Sequence, residues 1–274
     1  MRKIHANGKE FERLYLHGGG VPYLGVYTTL LRSLALDPWT MDVRLTCSSA
    51  GAGAFLFLLC LKHADEAALR SEIARIQASM LDISWLDIEL DQEFIVGDLS
   101  KHMEPLVPEE VRRLTFADLR KVNENFDVEV AASTINCGYQ VESVSFSADK
   151  TPQVPVWLAC VASMSIPVLF KNLEIGGVKC FDGDFTRCCA ENDPSVLHLW
   201  SRRSAIESLS SSVRFPLLRS ILVTLVALVL KSVAACENGS LDCRVSPSIE
   251  ASADAFAPEF VREGQRLARM IVLK

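Results

Sequence analysis

The pattern of apolar and polar positions predicts strands that alternate with helices near the start of the chain. Residues 11–16 and 43–47 are short and mostly apolar, so both are predicted to be strands. Apolar residues recur at helical spacing over 26–36, and residues 55–61 are apolar throughout, which is typical of a helix buried on all sides. This alternation favours an α/β domain with a mostly parallel sheet.

The central part of the chain continues the pattern. Residues 64–80 have the spacing of an amphipathic helix, and Pro155 opens a predicted helix that runs through Met164. Two pairs of strands joined by glycine-containing turns are predicted: residues 128–135 with 140–146, joined at 136–139, and residues 168–175 with 178–181, joined at Gly176 and Gly177.

Three further segments lack so clear a pattern. Residues 81–96 are apolar and acidic, and core packing is favoured there over a lid or interfacial patch around Trp85. Residues 201–214 are predicted to be a surface connection. Residues 221–230 are strongly apolar but reach only about half of the ~20 residues that a bilayer span requires, so they predict a buried core helix.

Composition excludes several classes of protein. The 274 residues are 49% hydrophobic and 23% charged, as in an ordinary globular protein, and we expect a single domain over residues 1–274. The net charge of −6 provides no positive field for a nucleic acid. Nine cysteines without a C-x-x-C pair indicate reduced thiols, and no apolar run follows the basic residues at the N-terminus, so a cytoplasmic protein is expected.

Ser49 lies where a predicted strand meets a buried helix. A serine there sits on a sharp turn with its hydroxyl exposed, and the Ala50 amide at the helix N-terminus faces any developing oxyanion. The local motif fits either a nucleophile or a plain strand-to-helix turn. The amides of Gly18, Gly19 and Gly20 could likewise form an oxyanion hole or a flexible turn. Parallel neighbouring strands would place both features at the same sheet edge.

Asp182-Gly183-Asp184 is either a hairpin turn or a source of a functional carboxylate. A dinucleotide-binding loop is excluded because Leu56 stands where the third glycine belongs, and no Walker loop is present in the sequence. No helical His-Glu motif accompanies the two aspartates, so neither a metal nor another cofactor is expected.

Taken in order, these pieces resemble the patatin-like phospholipase family. Four segments carry the resemblance: residues 16–20, 47–52, 162–170 and 181–184. In addition, residues 114–119 are similar to the family's linker and residues 260–265 to its closing helix. The likeness runs from about residue 11 to the C-terminus, and residues 201–238 are unmatched.

The resemblance implies a three-layer α/β/α domain with a mostly parallel central sheet and the activity of a lipid acyl hydrolase. Ser49 would attack the ester carbonyl, and Asp182 would act as general base without a histidine. The amides of Gly18, Gly19, Gly20 and Ala50 would stabilise the oxyanion. The implied substrate is a membrane phospholipid or another lipid ester, reached from the cytosolic side by peripheral contact with the membrane.

The sequence departs from the family pattern at three places. Cys47 replaces a usual glycine, Asp184 stands where a glycine or alanine is usual, and residues 21–23 replace the usual small and cationic residues after the glycine triplet. One alternative is therefore a weak or silent lipid-binding module of the same fold. Another is a Ser-Asp-His esterase of the hormone-sensitive-lipase type with His198 as base, although the interval from His17 to Ser49 admits only about one helix and one strand.

Overall fold

The structure is a computed structural model that describes residues 1–81, 98–136, 141–167, 170–186, 193–200, 240–242 and 255–274. The predictions made for residues 82–96, 137–139, 201–214 and 221–230 lie outside these ranges. Among the described residues, no helix has the length and apolar character needed to cross a bilayer.

The strands within the described ranges fall into two sheets. They are β1 (Ile4–Ala6), β2 (Lys9–Phe11), β3 (Arg13–Leu16), β4 (Arg44–Cys47), β5 (Val128–Ile135), β6 (Val141–Ser147), β7 (Leu173–Ile175), β8 (Val178–Phe181), β9 (Val196–Trp200), β10 (Ser240–Asp242) and β11 (Ile271–Leu273).

The α-helices within the described ranges vary from a single turn to sixteen residues. They are α1 (Val21–Ser33), α2 (Ala50–Cys60), α3 (Glu66–Leu81), α4 (Leu99–Met103), α5 (Glu109–Arg112), α6 (Phe116–Val122), α7 (Val156–Met164) and α8 (Pro258–Arg269).

Most predicted elements are present, with shifts that have local causes. β5 and the helix that follows Pro155 agree with the prediction. The strand expected over 11–16 is interrupted at Glu12, because Phe11 ends a short hairpin and β3 begins at Arg13. Helix α1 begins five residues earlier than expected, directly after Gly20, and a proline in a first helical turn is compatible with such a start. Of the strand expected over 168–175, Leu173–Ile175 form β7, and residues 168 and 169 lie outside the described ranges.

The main sheet has the order β10-β9-β3-β4-β5-β8-β7, with β6 paired to β5. The pairs β10–β9, β9–β3, β3–β4 and β4–β5 are parallel, which confirms the predicted α/β fold with a mostly parallel sheet. Strands β7 and β8 form an antiparallel hairpin, and Gly176 and Gly177 occupy its turn with φ values of 60° and 82°.

Strand β5 brings the C-terminal ends of two other strands together. β6 pairs with β5 along one edge, from Glu129 to Ile135. The other edge is shared, because β4 pairs with it up to Val130, whereas β8 pairs with Ser133 and Thr134 and runs in the opposite direction. The C-terminal ends of β4 and β8 therefore approach each other head-on across Ala131 and Ala132.

One face of the sheet is apolar and carries helices. Helix α2 is buried along all eleven residues and packs against α1, α7 and the sheet, while α8 packs against α1. Leu14, Leu16, Leu45 and Cys47 belong to the same buried apolar cluster as these helices. The opposite face carries an ionic network in which Arg13 contacts Glu129 at 2.9 Å. These contacts establish one of the two helical layers that the resemblance implies, and the other stays a prediction.

Candidate active site

The backbone at Ser49 is strained. Ser49 follows β4, precedes α2 and has φ 46° and ψ −117°, a left-handed conformation that a residue with a side chain rarely adopts. The surrounding structure holds this turn: the Ser49 N–H donates to Ser163 Oγ at 2.9 Å, and the Ser163 hydroxyl donates to the Ala131 carbonyl at 2.5 Å. A strained serine at a strand-to-helix junction has the geometry of a nucleophile elbow.

The glycine triplet adjoins this turn. A Cβ atom added at Gly18 would lie 2.9 Å from Ser49 Cβ and 1.8 Å from Asp184 Oδ2, so no side chain fits there without displacing a neighbour. Gly20 directly precedes α1 with φ 77°, which favours glycine. Ala50 begins α2, so its amide lies at a helix N-terminus. The structure therefore brings the first glycine of the triplet and Ser49 together at one sheet edge.

Asp182 lies at the end of β8 and is only 2% exposed. Its amide donates to the Ser165 carbonyl at 2.8 Å, and its Oδ1 accepts the Asp184 amide at 2.9 Å, so the side chain caps a short 3-10 helix at Gly183–Phe185. Its Oδ2 is buried and has no hydrogen-bond partner of good geometry within the described ranges. The carboxylate therefore has one oxygen anchored and one oxygen that can accept a further proton.

The pKa of Asp182 is raised to about 8. Burial is the main cause, because it disfavours the charged form, and the neighbouring Asp184 carboxylate adds to it. The Asp184 amide and the Ser49 side chain act in the opposite direction, since both interact favourably with the ionised carboxylate. Ser49 therefore lies near enough to favour the ionised carboxylate, while Asp182 Oδ2 has no hydrogen bond of good geometry within the described ranges.

An apolar cavity of about 110 Å³ opens beside Ser49. Its lining comes from α1, α2, α3, α4 and α7 and from the segments beside them, and nearly all of it is aliphatic, aromatic or thioether side chain. The residues are Gly20, Leu24, Ser49, Ala50, Gly53, Leu56, Phe57, Cys60, Leu69, Ile73, Leu99, Met103, Leu106, Val107, Met164, Ile166 and Phe170. A cavity with this lining suits a hydrocarbon chain whose reacting end reaches Ser49.

His198 lies in β9, in register with Tyr15 of β3. Its Nδ1 atom is 2.9 Å from His17 Nε2, and the His17 ring stacks on Tyr15 with centroids 3.7 Å apart. In a Ser-Asp-His triad the carboxylate would hold the histidine through one ring nitrogen. Here Nδ1 of His198 contacts His17 and not a carboxylate, so the geometry does not favour the triad alternative.

Cys47 is fully buried in the apolar core. Burial raises the pKa of its thiol, and the charge of Glu129 acts in the same direction, so the thiol stays neutral. The cysteine in place of a usual glycine therefore lies among core side chains, while Ser48 and Ser49 face the two aspartates. The described cysteines Cys47, Cys60, Cys160 and Cys180 are all reduced and buried.

Two contacts at the site were not predicted as functional. Ser163 was part of a recognised segment, yet only the structure shows that its hydroxyl holds the Ser49 amide. Ser48 donates its hydroxyl to Asp184 Oδ1 at 2.5 Å. Neither contact leaves a signal in spacing, because each joins residues more than a hundred positions apart. Within the described ranges, no cluster of three or more His, Cys, Asp or Glu residues could hold a metal ion.

The chain is similar to known proteins in structure but not in sequence. No family model and no curated protein sequence matches the chain. VipD from Legionella pneumophila is 16% identical with a TM-score of 0.45, over 100% of this chain and 71% of VipD. ExoU in its complex with SpcU, from the type III secretion system of Pseudomonas aeruginosa, is 15% identical with a TM-score of 0.43, over 96% of this chain and 53% of that one. The chain thus spans about half the length of that ExoU chain.

Proposed function

We propose that the chain is a hydrolase of lipid acyl esters in which Ser49 is the nucleophile and Asp182 its general base. The observation that carries the proposal is the meeting of a strained serine with a buried carboxylate beside an apolar cavity. The resemblance of the sequence motifs to patatin-like phospholipases supports the same assignment.

In the proposed reaction, ionised Asp182 accepts the Ser49 hydroxyl proton while Oγ bonds to the ester carbonyl carbon. The carbonyl oxygen becomes an oxyanion, which the amides of Gly18, Gly19, Gly20 and Ala50 would stabilise. Collapse of this intermediate breaks the bond to the alcohol, which leaves with the proton from Asp182. Water then attacks the acyl-enzyme by the same route and releases the fatty acid.

The substrate class follows from the cavity. Its apolar lining would bury an acyl chain, and each buried methylene contributes about 0.8 kcal/mol to binding. A long-chain lipid ester is therefore the proposed substrate, taken from a membrane surface by peripheral contact on the cytosolic side. We expect activity on phospholipid vesicles as well as on soluble long-chain esters.

The test combines covalent labelling with turnover. A fluorophosphonate should modify native protein at Ser49, as located by mass spectrometry, and Ser49→Ala should lose both labelling and hydrolysis of a p-nitrophenyl ester by at least about 10³-fold. Ser33→Ala, an exposed serine at the end of α1, is the matched control and should behave as native. His198→Ala should change turnover by less than about threefold if the dyad holds.

Two outcomes would contradict the proposal. Equal turnover by native protein and Ser49→Ala would show that Ser49 is not the nucleophile of a serine hydrolase. Vesicle binding without labelling or turnover in any variant would favour the lipid-binding module.

A further inference from the structure

Asp184 occupies a critical position between the two halves of the site. Its side chain is half-buried, its Oδ1 accepts the Ser48 hydroxyl at 2.5 Å, and the backbone N–H of Gly18 lies against the same carboxylate. The space that a methyl group on Gly18 would fill is taken by Asp184 Oδ2. The carboxylate therefore contacts the first glycine of the proposed oxyanion hole.

A carboxylate at this place competes with the reaction. The oxyanion of a tetrahedral intermediate needs the same kind of donor that Asp184 uses, and a single N–H cannot serve both well. The developing negative charge would also form close to an existing one, with little water to screen it. Both effects raise the barrier to attack by Ser49.

Asp184 also acts on the proposed base. Burial is the main cause of the raised pKa of Asp182, and the Asp184 charge raises it further, so both disfavour the ionised form that must accept the Ser49 proton. The groups facing the pair are the Gly18 amide from the loop after β3 and the hydroxyls of Ser48 and Ser49 from the serine turn. The Ser163 hydroxyl of α7 lies beside Gly183, between the two aspartates in sequence. None of these groups titrates near neutrality. No lysine or arginine of the described ranges forms an ion pair with either aspartate.

We infer that Asp184 is a built-in inhibitor of the site: its carboxylate occupies the Gly18 donor and lies where it opposes the developing oxyanion. The inference rests on the proposed function and adds a regulation to it. Asp184 stands where the resembled family usually has glycine or alanine, and its proposed role is to restrain the activity. Neutralising Asp184 should release both the donor and the base.

The test is the pH profile of kcat/KM for Asp184→Asn beside native protein, with a p-nitrophenyl ester as probe. The amide keeps the size of the side chain and can still accept from Ser48, so the fold is retained. We expect kcat/KM at pH 7 to rise by about five- to fiftyfold and the rising limb of the profile to move towards lower pH. A purely structural role would not move that limb in this direction.

Three further variants serve as controls. Asp184→Gly removes the carboxylate entirely and should also activate, whereas Ser48→Ala removes a donor that stabilises the charged form and should activate partly. Asp149→Asn changes a surface carboxyl that pairs with Arg120 and should leave rate and profile unchanged.

The failure of this inference differs from failure of the proposed function. In one outcome, native protein turns over the ester and is labelled at Ser49, but both Asp184 variants are slower and the rising limb of their pH profiles does not move. Asp184 would then assist the reaction, and the proposal that it inhibits would be wrong. If neither native protein nor any variant is labelled or active, the hydrolase itself is wrong, and the inhibitor falls with it.

Discussion

The two walls of the crevice beside Ser49 differ in polarity although both exclude water. On one side lies the aliphatic cavity between α2, α3 and α7, and on the other lie the buried carboxyl of Asp182 and the half-buried carboxyl of Asp184. Exclusion of water stabilises an acyl chain on the first wall and raises the pKa of the carboxyls on the second. Burial therefore serves binding and chemistry in different ways, and substitutions can separate the two.

The largest expected effect comes from the polar wall. Asp182→Asn should lower kcat/KM by at least about 10³-fold, because the amide cannot accept the Ser49 proton. The same variant should alter the pH dependence of stability. In native protein the pKa of Asp182 is about 8, against ~3.9 in an unfolded chain. The contribution of Asp182 to the free energy of unfolding is therefore fully present below pH ~4 and is lost as the pH rises towards 8.

The stability arm is measured by thermal unfolding. Asp182→Asn should melt close to native protein at pH 4 and above it at pH 8. Asp149→Asn gives a contrast of opposite sign, because its hydrogen bond to Arg120 lowers the pKa of Asp149, and the effect should be small at that exposed site. A melting difference for Asp182→Asn that is the same at both pH values would contradict burial as the cause of the raised pKa.

A middle-sized effect is expected at the support of the serine turn. Ser163→Ala leaves the Ser49 amide and the Ala131 carbonyl without their side-chain partner, which should cost about 1–3 kcal/mol of stability and lower kcat by about tenfold or more. Ser165→Ala is the matched control on the same segment, since its hydroxyl donates to the Val161 carbonyl of α7. Chemical denaturation and steady-state kinetics measure both. Equal losses in the two variants would mean that Ser163 has no special role.

The smallest effect should be confined to the apolar wall and to long substrates. Leu106→Trp places a larger ring at the half-buried edge of the cavity and should raise KM for a C12 ester by about tenfold, the equivalent of nearly two methylenes, with little change for a C4 ester. Val122→Trp, on an exposed part of α6, should change neither. A uniform loss on both esters would show that the cavity does not hold the acyl chain.

Much of the fold was predictable because local patterns and tertiary structure agree. The alternation of apolar strands and helices predicted the sheet, the short apolar run at 55–61 predicted a helix buried on all sides, and two adjacent glycines predicted the β7–β8 hairpin. Parallel neighbours also predicted that the glycine triplet and Ser49 share one sheet edge, as β3 and β4 do. Helix α1 was misplaced because its start is set by a backbone turn at Gly20, which has no apolar period.

The sequence by itself was enough to predict the class of fold and the turn at Ser49, and its motifs singled out Asp182 as the candidate carboxylate. These predictions were possible because periodicity and steric demands act over a few neighbouring residues. The tertiary structure alone decided how these parts meet. It placed β4 and β8 end to end on one edge of β5, directed Cys47 into the core, and set Asp184 against Gly18. Such contacts depend on strand register and packing between distant segments, and the burial that they create raises the pKa of Asp182.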